Sequence, residues 1–416
     1  MRRVVITGMG AVTPLGHDVN SIFERILAKD CAIEPIRAFD ASQYRVKLAA
    51  EINDLNMEEY FSARDLKFND RYTQFARIAS KIAVEHAKLD TDSMDKDRFG
   101  VIMSTGIGGI GSFEKAMENM MTKGVSRVSP FFIPMTLVNL AAGIVAIDHQ
   151  AMGECSCVVT GCAAGTSSIG EAFMRIKSDQ QDIMIAGASE ASITPLGVGG
   201  FMAMRALSES HDKTRASIPF DSERSGFVMG EGAGAVIVEE LEHALNRNAE
   251  IFAEIVGYGS ACDAYHMTAP SEDGAGIVKA MKIALKQAGI SPSDIGYINA
   301  HGTSTPLNDK TEAIAIRQVF SSVDVAVSST KSHMGHLLGA CGAVETIICV
   351  KSLLTGWLPP TVHLQHQDPL CDLDIITEKR FADIRYAMCN NLGFGGHNVS
   401  LIVKKWDYDS ASSPTV

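Results

Sequence analysis

Nine cysteines are spread over 416 residues without a single CxxC pair, and the two closest, Cys155 and Cys157, lack the paired spacing of a metal site. An odd count without a framework excludes a disulfide scaffold and suits a reducing compartment, so a cytoplasmic setting is expected. Basic residues are scarce as well: 37 Lys and Arg face 49 Asp and Glu, a formal net charge of −12. That deficit argues against an extended nucleic-acid surface and requires any acidic partner to find a local basic patch. No apolar run is read as reaching the roughly 18 residues of a membrane span. Low-complexity linkers are missing too, and only a tail from Asp407 onward is expected to fray. The opening run Val4-Val5-Ile6 is broken early by Gly8, Gly10, Pro14 and Gly16, so it reads as a first strand rather than a signal peptide.

What is present is core-forming material: 46% of residues are hydrophobic and only 21% charged. Short β-branched runs alternate with helical patterns, at Val4 to Thr7, Gly100 to Ser104, Cys155 to Thr160, Asp182 to Ala186, Ala235 to Val238, Ile251 to Val256, Ile295 to Asn299, Val325 to Ser329 and Val399 to Val403. The alternation predicts an α/β architecture of sheets covered by helices. A weak internal repeat runs through it. Cys155-Ser-Cys-Val-Val-Thr160 resembles Val325-Ala-Val-Ser-Ser-Thr330, each a strand followed by a small-residue turn and a helix, and Thr160 laid on Thr330 puts Gly165 on Gly335. Likewise Arg98-Phe-Gly-Val-Ile-Met-Ser resembles Asp294-Ile-Gly-Tyr-Ile-Asn-Ala. Two similar halves, 1–250 and 251–416, are therefore expected.

Cys162 follows one of these strands and precedes a helical face of Ile169, Ala172, Phe173 and Ile176. A thiol at a helix N-terminus, near unpaired N–H groups and the positive end of the dipole, is expected to favour the nucleophilic thiolate. His301 ends a strand in Ala300-His-Gly-Thr-Ser-Thr305, and His336 is expected at the start of the second-half helix in Lys331-Ser-His-Met-Gly-His336. Two histidines in Gly-rich turns at strand ends suit a site at one end of the sheets.

Thr160-Gly-Cys-Ala-Ala-Gly165, Asn299-Ala-His-Gly-Thr-Ser-Thr-Pro306-Leu-Asn-Asp309, Ser328-Ser-Thr-Lys-Ser332, Gly335-His-Leu-Leu-Gly-Ala340, Asn391-Leu-Gly-Phe-Gly-Gly-His-Asn398 and the run Phe220 to Gly232 together resemble the elongating β-ketoacyl-carrier-protein synthases of bacterial fatty-acid synthesis. The resemblance extends from Arg3 to about Lys405. It implies a duplicated thiolase-like fold of five layers, α-β-α-β-α, in a homodimer. It also implies decarboxylative condensation of an acyl group on Cys162 with malonyl-acyl carrier protein, with no cofactor or metal of the enzyme's own. By the same resemblance His301 and His336 assist malonyl decarboxylation, Lys331 orders the hydrogen-bond network with Glu345 as its buried partner, and the N–H groups of Cys162 and Phe394 form an oxyanion hole. Phe394 gates the acyl channel, Ile107 and Phe201 belong to the acyl pocket, and Thr303 and Thr305 contact the phosphopantetheine arm. Arg64, Lys67, Arg127 and Arg205 match carrier-docking positions, although Phe68 stands where a further basic residue is common. The resemblance offers no nucleic-acid or membrane partner.

Some signals point elsewhere. Gly106-Ile-Gly-Gly-Ile-Gly111 fits a dinucleotide loop, but the stretch about 20 residues on, Pro130-Phe-Phe-Ile-Pro134, has no acidic residue for a ribose. His333/His336 and His363/His366 have zinc-like spacing without further ligands. A thiolase would carry a second cysteine where Gly393 to Asn398 stands, and a catalytically silent chain-length partner would lack Cys162. A polyketide ketosynthase would share the same Cys-His-His chemistry. His333, Met334, Met202 and Met204 depart from the family pattern and bear on pocket shape.

Overall fold

The computed structural model describes residues 2–407, so all but the first residue of the expected frayed tail lies outside the described residues. In the large sheet, the strands of the first half are β1 (Val4–Val12), β2 (Phe99–Ser104), β3 (Cys155–Ser156), β4 (Ile183–Glu190) and β5 (Gly232–Glu240). Those of the second are β6 (Ala253–Cys262), β7 (Ile295–Asn299), β8 (Ala326–Ser328), β9 (Asp374–Ile375), β10 (Tyr386–Gly393) and β11 (His397–Lys405). Hydrogen bonds connect them in the order β9-β8-β7-β10-β11-β6-β1-β5-β4-β2-β3. From the centre outward, β1-β5-β4-β2-β3 and β6-β11-β10-β7-β8 show the same succession: antiparallel, antiparallel, parallel, parallel. The second half thus repeats the first across a short antiparallel seam in which Val4, Val5 and Ile6 of β1 face Ile255, Glu254 and Ala253 of β6.

Helices fill the layers around these strands. On one outer face, α1 (Arg71–His86) packs on β1 and β5 beside α2 (Leu140–His149). Between the halves lie α3 (Ala164–Lys177) and, later in the chain, α6 (Cys341–Thr355). The other outer face carries α4 (Ala275–Ala288) on β6 and β11, beside α5 (Pro306–Val319). The result is the five-layer α-β-α-β-α stack of the duplicated thiolase-like fold.

The central helices must be apolar all round, since protein lies on every side of them. This corrects the expectation about apolar runs: Leu338–Thr355 is long and apolar enough, by length and composition, to cross a membrane, with a mean hydropathy of 1.5. Glu345 and Lys351 interrupt it as a bare run of letters, but 83% of the stretch is buried inside the fold. Where α3 and α6 cross, side chains would keep them apart. A Cβ on Gly165 would lie 2.5 Å from the Ala343 nitrogen, and one on Gly342 2.5 Å from the Thr166 nitrogen. The crossing brings the turn before α3, with Cys162, against the turn before α6, with His336.

The repeat is clearest where turns feed strands: one-turn 3₁₀ helices at Lys96–Arg98 and Pro292–Asp294 precede β2 and β7. Laying Thr160 on Thr330 does not align the central helices. α3 begins at Ala164, whereas a short helix Lys331–Met334 and a turn Leu338–Ala340 come between Thr330 and α6. His336 therefore occupies an inserted segment and not a helix start, because the second half uses those extra residues to build the site.

Candidate active site

Cys162 sits in a 3₁₀ turn, Gly161–Ala163, that runs directly into α3. Gly161 takes a φ of +56°, a region costly for residues with a Cβ. A Cβ on Gly393 would lie 3.3 Å from the Cys162 nitrogen and 2.2 Å from the Thr160 oxygen, so the glycine turn after β10 lies flat against the cysteine turn. The thiol is not biased toward thiolate as the helix N-terminus suggested. Burial, with the nearby carboxylates of Glu190 and Glu345, pushes it up to about 12, and the opposing charge of Lys331 does not offset this.

His301 and His336 are both buried, with ring centroids 5.3 Å apart and planes at 83°. In His336 the Leu338 N–H reaches Nδ1 at 3.3 Å, and the Cys341 sulfur, kept protonated by burial, stands 3.0 Å from the same nitrogen. In His301 the Asn391 Nδ2 lies 3.3 Å from Nδ1. With Nδ1 as acceptor in each ring, the proton of the neutral imidazole sits on Nε2. Burial first, and then the positive charge of Lys331, hold both rings well below the usual histidine range, so both are neutral at pH 7. Phe227 closes one side of His336 edge-on, at 5.1 Å between centroids.

Lys331 is fully enclosed, and its Nζ lies 2.5 Å from Glu345 Oε1. Burial works against the ammonium, but the Glu345 carboxylate outweighs it and holds Lys331 above the usual lysine range. The second carboxylate oxygen, Oε2, accepts from Asn391 Nδ2 at 2.7 Å.

Four residues that sequence reasoning passed over support this arrangement: Asn391, Glu312, Asp309 and Glu190. Glu312 on α5 accepts the N–H groups of His301 and Gly302, each at 2.8 Å, and burial pushes its own carboxyl up to about 7. Asp309 accepts the Ser304 and Phe220 N–H groups and so fixes the Thr303 to Thr305 turn. Glu190 accepts from Gly106 N–H at 2.8 Å, Ile107 N–H at 3.3 Å and Gly339 N–H at 3.1 Å, as well as from Thr105 and Ser192 hydroxyls. The N–H groups of Gly106 and Ile107 that would face a pyrophosphate in a dinucleotide loop are directed at this carboxylate. Only position separates these four from ordinary surface polar residues, so composition alone gave no signal. The H-x-x-H pair is likewise engaged within the fold: His333 points its two ring nitrogens at the Asp30 and Pro360 carbonyls, at 2.8 and 2.9 Å.

A cavity of about 380 Å³ gathers Cys162, His301, His336, Phe394, Phe201, Thr303, Thr305, Arg205 and Met204. The Thr303 and Thr305 hydroxyls are 2.9 Å apart. Phe394 is 39% exposed and its ring lies 6.4 Å from that of Phe201, with Gly395 and Gly396 at φ +91° and +78° just after it. Ile107 and Met202 lie outside this lining, packed with Phe201 and Cys162 in an adjoining apolar cluster. Lys331 and Glu345 stand behind the histidines. Arg64 and Lys67 share the short helix Ala63–Phe68, which Phe68 joins to the Arg127 segment through a 3.9 Å ring contact with Phe131. Arg205 is apart from these three.

Sequence comparison adds to this geometry. The profile for Beta-ketoacyl synthase, N-terminal domain, matches residues 1–244, and that for Beta-ketoacyl synthase, C-terminal domain, matches residues 252–365. The chain belongs to the β-ketoacyl synthase family. A 3-oxoacyl-[acyl-carrier-protein] synthase 2 of Staphylococcus aureus is 47% identical to this β-ketoacyl synthase over 409 residues, 98% of this chain and 99% of the relative. One from a Synechocystis strain is 45% identical, covering 97% and 98%. The solved β-ketoacyl synthase of Burkholderia phymatum superposes with a TM-score of 0.92 at 34% identity, covering 98% of this chain and 100% of that one. A type II polyketide synthase acyl-carrier protein in complex with its ketosynthase bound to the hexaketide gives 0.90 at 34%, covering 97% and 100%. This β-ketoacyl synthase is an acyltransferase-type enzyme.

The protonated state of Cys162 is open to direct test. A thiol near 12 gains thiolate by roughly tenfold per pH unit below that value, so alkylation of Cys162 by iodoacetamide should climb without levelling between pH 7 and 10. Peptide mass spectrometry would follow the rate, and a plateau below pH 8 would mean that the helix N-terminus outweighs burial.

Proposed function

We propose that this enzyme elongates fatty-acyl chains by two carbons, condensing an acyl group held on Cys162 with malonyl-acyl carrier protein to give β-ketoacyl-acyl carrier protein. The observation that carries the reading is the meeting of one thiol and two neutral imidazoles, each with its proton on Nε2, at a single cavity. Acyl transfer forms the Cys162 thioester and expels the carrier thiol, which leaves with the proton of Cys162. Loss of CO₂ from the malonyl thioester then places negative charge on its carbonyl oxygen, where two N–H donors stabilise the enolate. The enolate carbon attacks the acyl group, the Cys162–acyl bond breaks, and the released thiolate takes up one proton, in keeping with a thiol near 12. The tetrahedral intermediates of both acyl steps are held by the N–H groups of Cys162 and Phe394. No bound cofactor or metal enters this chemistry, since the pantetheine arm arrives with the carrier.

The remaining residues take supporting roles in the same reading. Burial and the Lys331 charge keep the histidines neutral, and Glu345 holds Lys331 in place. Thr303 and Thr305 meet the pantetheine arm, Phe201 at the cavity and Ile107 in the apolar cluster that adjoins it receive the acyl chain, and Phe394 swings on its flexible glycines to admit that chain. A homodimer is supported by β3, the last strand of the sheet, whose free edge stands among the exposed side chains Ile147, Met152 and Val159. Acyl carrier protein is the partner, as the names of the similar proteins record for them. Arg64, Lys67 and Arg127 supply a local basic patch on an enzyme of net charge −12, with Arg205 at the cavity itself.

Cys162→Ala should abolish condensation and the acyl-enzyme adduct while leaving the fold unchanged. His301→Ala and His336→Ala should each lower malonyl decarboxylation by roughly 10²- to 10³-fold, with Cys162 acylation better preserved. Mass spectrometry of the adduct and of released product reads both, and an acyl group on another cysteine would contradict the assignment.

Reversing Arg64 and Lys67 to Glu should raise KM for acyl-carrier protein and flatten its salt dependence, while a short pantetheine thioester reacts nearly as before. Equal losses with both substrates would move the docking patch elsewhere. Light scattering should give twice the 44.6 kDa chain mass. A charged residue in place of Met152 should shift that mass toward the monomer, and a wild-type monomer would exclude the dimer.

A further inference from the structure

Asn391 lies at the one point where β10, α3, α6 and the His301 turn converge, fully enclosed by protein. Its amide is not free to choose which end faces which neighbour. The Thr166 hydroxyl, itself buried, donates to Oδ1, and the Cys389 sulfur is 3.5 Å from the same oxygen. The Glu345 carboxylate can only accept, so it takes the NH₂ end of the amide, and Oδ1 is left facing α3, where the Thr166 hydroxyl donates to it. Nδ2 therefore points the other way, with one N–H on Glu345 Oε2 at 2.7 Å and the second toward His301 Nδ1 at 3.3 Å.

We propose that Asn391 is a positioning residue for the condensation, one that dictates which nitrogen of His301 carries the proton. An amide N–H aimed at Nδ1 is compatible only with an unprotonated Nδ1, so the ring proton is driven to Nε2, the nitrogen left to face the malonyl oxygen. The same amide holds Glu345, whose other oxygen binds Lys331, so the ion pair and the imidazole are oriented by one side chain. His336 obtains the same tautomer differently, from the Leu338 backbone N–H and the Cys341 thiol. The two tautomers are thus set by independent hydrogen bonds, and the one that a change at 391 removes acts on His301 alone.

This inference rests on the reading of His301 as an oxyanion donor, and the test separates the two. In the full-length enzyme labelled with ¹⁵N-histidine, long-range ¹H–¹⁵N spectra assign the tautomer of His301 whatever the activity, with His301→Gln identifying its signals. The wild type should show Nε2–H. Asn391→Asp should move the proton toward Nδ1, because a carboxylate accepts where the amide donated. Asn391→Leu should leave a mixture of tautomers. Decarboxylation of malonyl-carrier protein should fall by about tenfold or more in both variants, while acylation of Cys162 from acyl-carrier protein stays within about threefold, the acyl step using other donors. Thr166→Val, which removes only the hydroxyl that steadies Oδ1, should give a weaker shift in the same direction, and it serves as the readout if the Asn391 variants do not fold. A His301 that stays Nε2–H in every folded variant, or decarboxylation within threefold of wild type, would reduce Asn391 to a packing residue. A wild-type enzyme that shows the Nε2–H tautomer but no decarboxylation would sink the functional reading and leave the tautomer assignment standing.

Discussion

The buried pair of Lys331 and Glu345 is the constraint on which the site depends. Two charges taken out of water are costly, and removing one partner strands the other, so the pair persists only where every remaining hydrogen-bonding atom is used. Here Glu345 divides its oxygens between Lys331 and Asn391. The fixed ammonium then acts at a distance: with burial, it keeps His301 and His336 neutral, as an oxyanion donor that must not also be an acid requires. The same charge draws the Cys162 thiol down, yet burial and two carboxylates prevail. Burial first, and the buried ammonium second, thus keep the histidine pair neutral.

Cys162 joins these groups because two copies of a strand–helix plan meet back to back. Cys162 precedes the central helix of the first half, and His336 and Glu345 precede or begin that of the second. The close crossing at Gly165 and Gly342 lets the two turns share one cavity. Charged and polar groups then enter a layer that is otherwise apolar, where Glu345 on α6 meets Lys331 from the short helix before it and Asn391 from β10.

Much of this was legible in the sequence where a signal is local. Turns rich in glycine after β-branched runs marked the strand ends that carry Cys162 and His301, and the likeness of Arg98–Ser104 to Asp294–Ala300 pointed to the duplication. Edges were less legible: the run Cys155 to Thr160 yields only the two-residue strand β3, and β9 and β10 passed unread because Asp374 and the Asn390-Asn391 pair look like loop residues out of context. The thiolate expectation failed for a related reason, since a helix terminus is visible in sequence but the desolvation that opposes it comes from distant segments. Glu190, Glu312 and Asn391 were illegible on the same ground, their partners lying 84, 11 and 46 positions away.

Glu190 grips the chain at 106, 107 and 339 by main-chain N–H groups alone, with no contact that depends on which side chain stands at 107. The track of the backbone along that wall is therefore independent of what the wall displays. The side chain at 107 can be exchanged, and with it, in the proposed function, the room offered to an acyl tail, while the turn that carries His336 keeps its footing. Substrate preference and reaction chemistry are free to evolve at different speeds, because a buried carboxylate anchors the part they have in common.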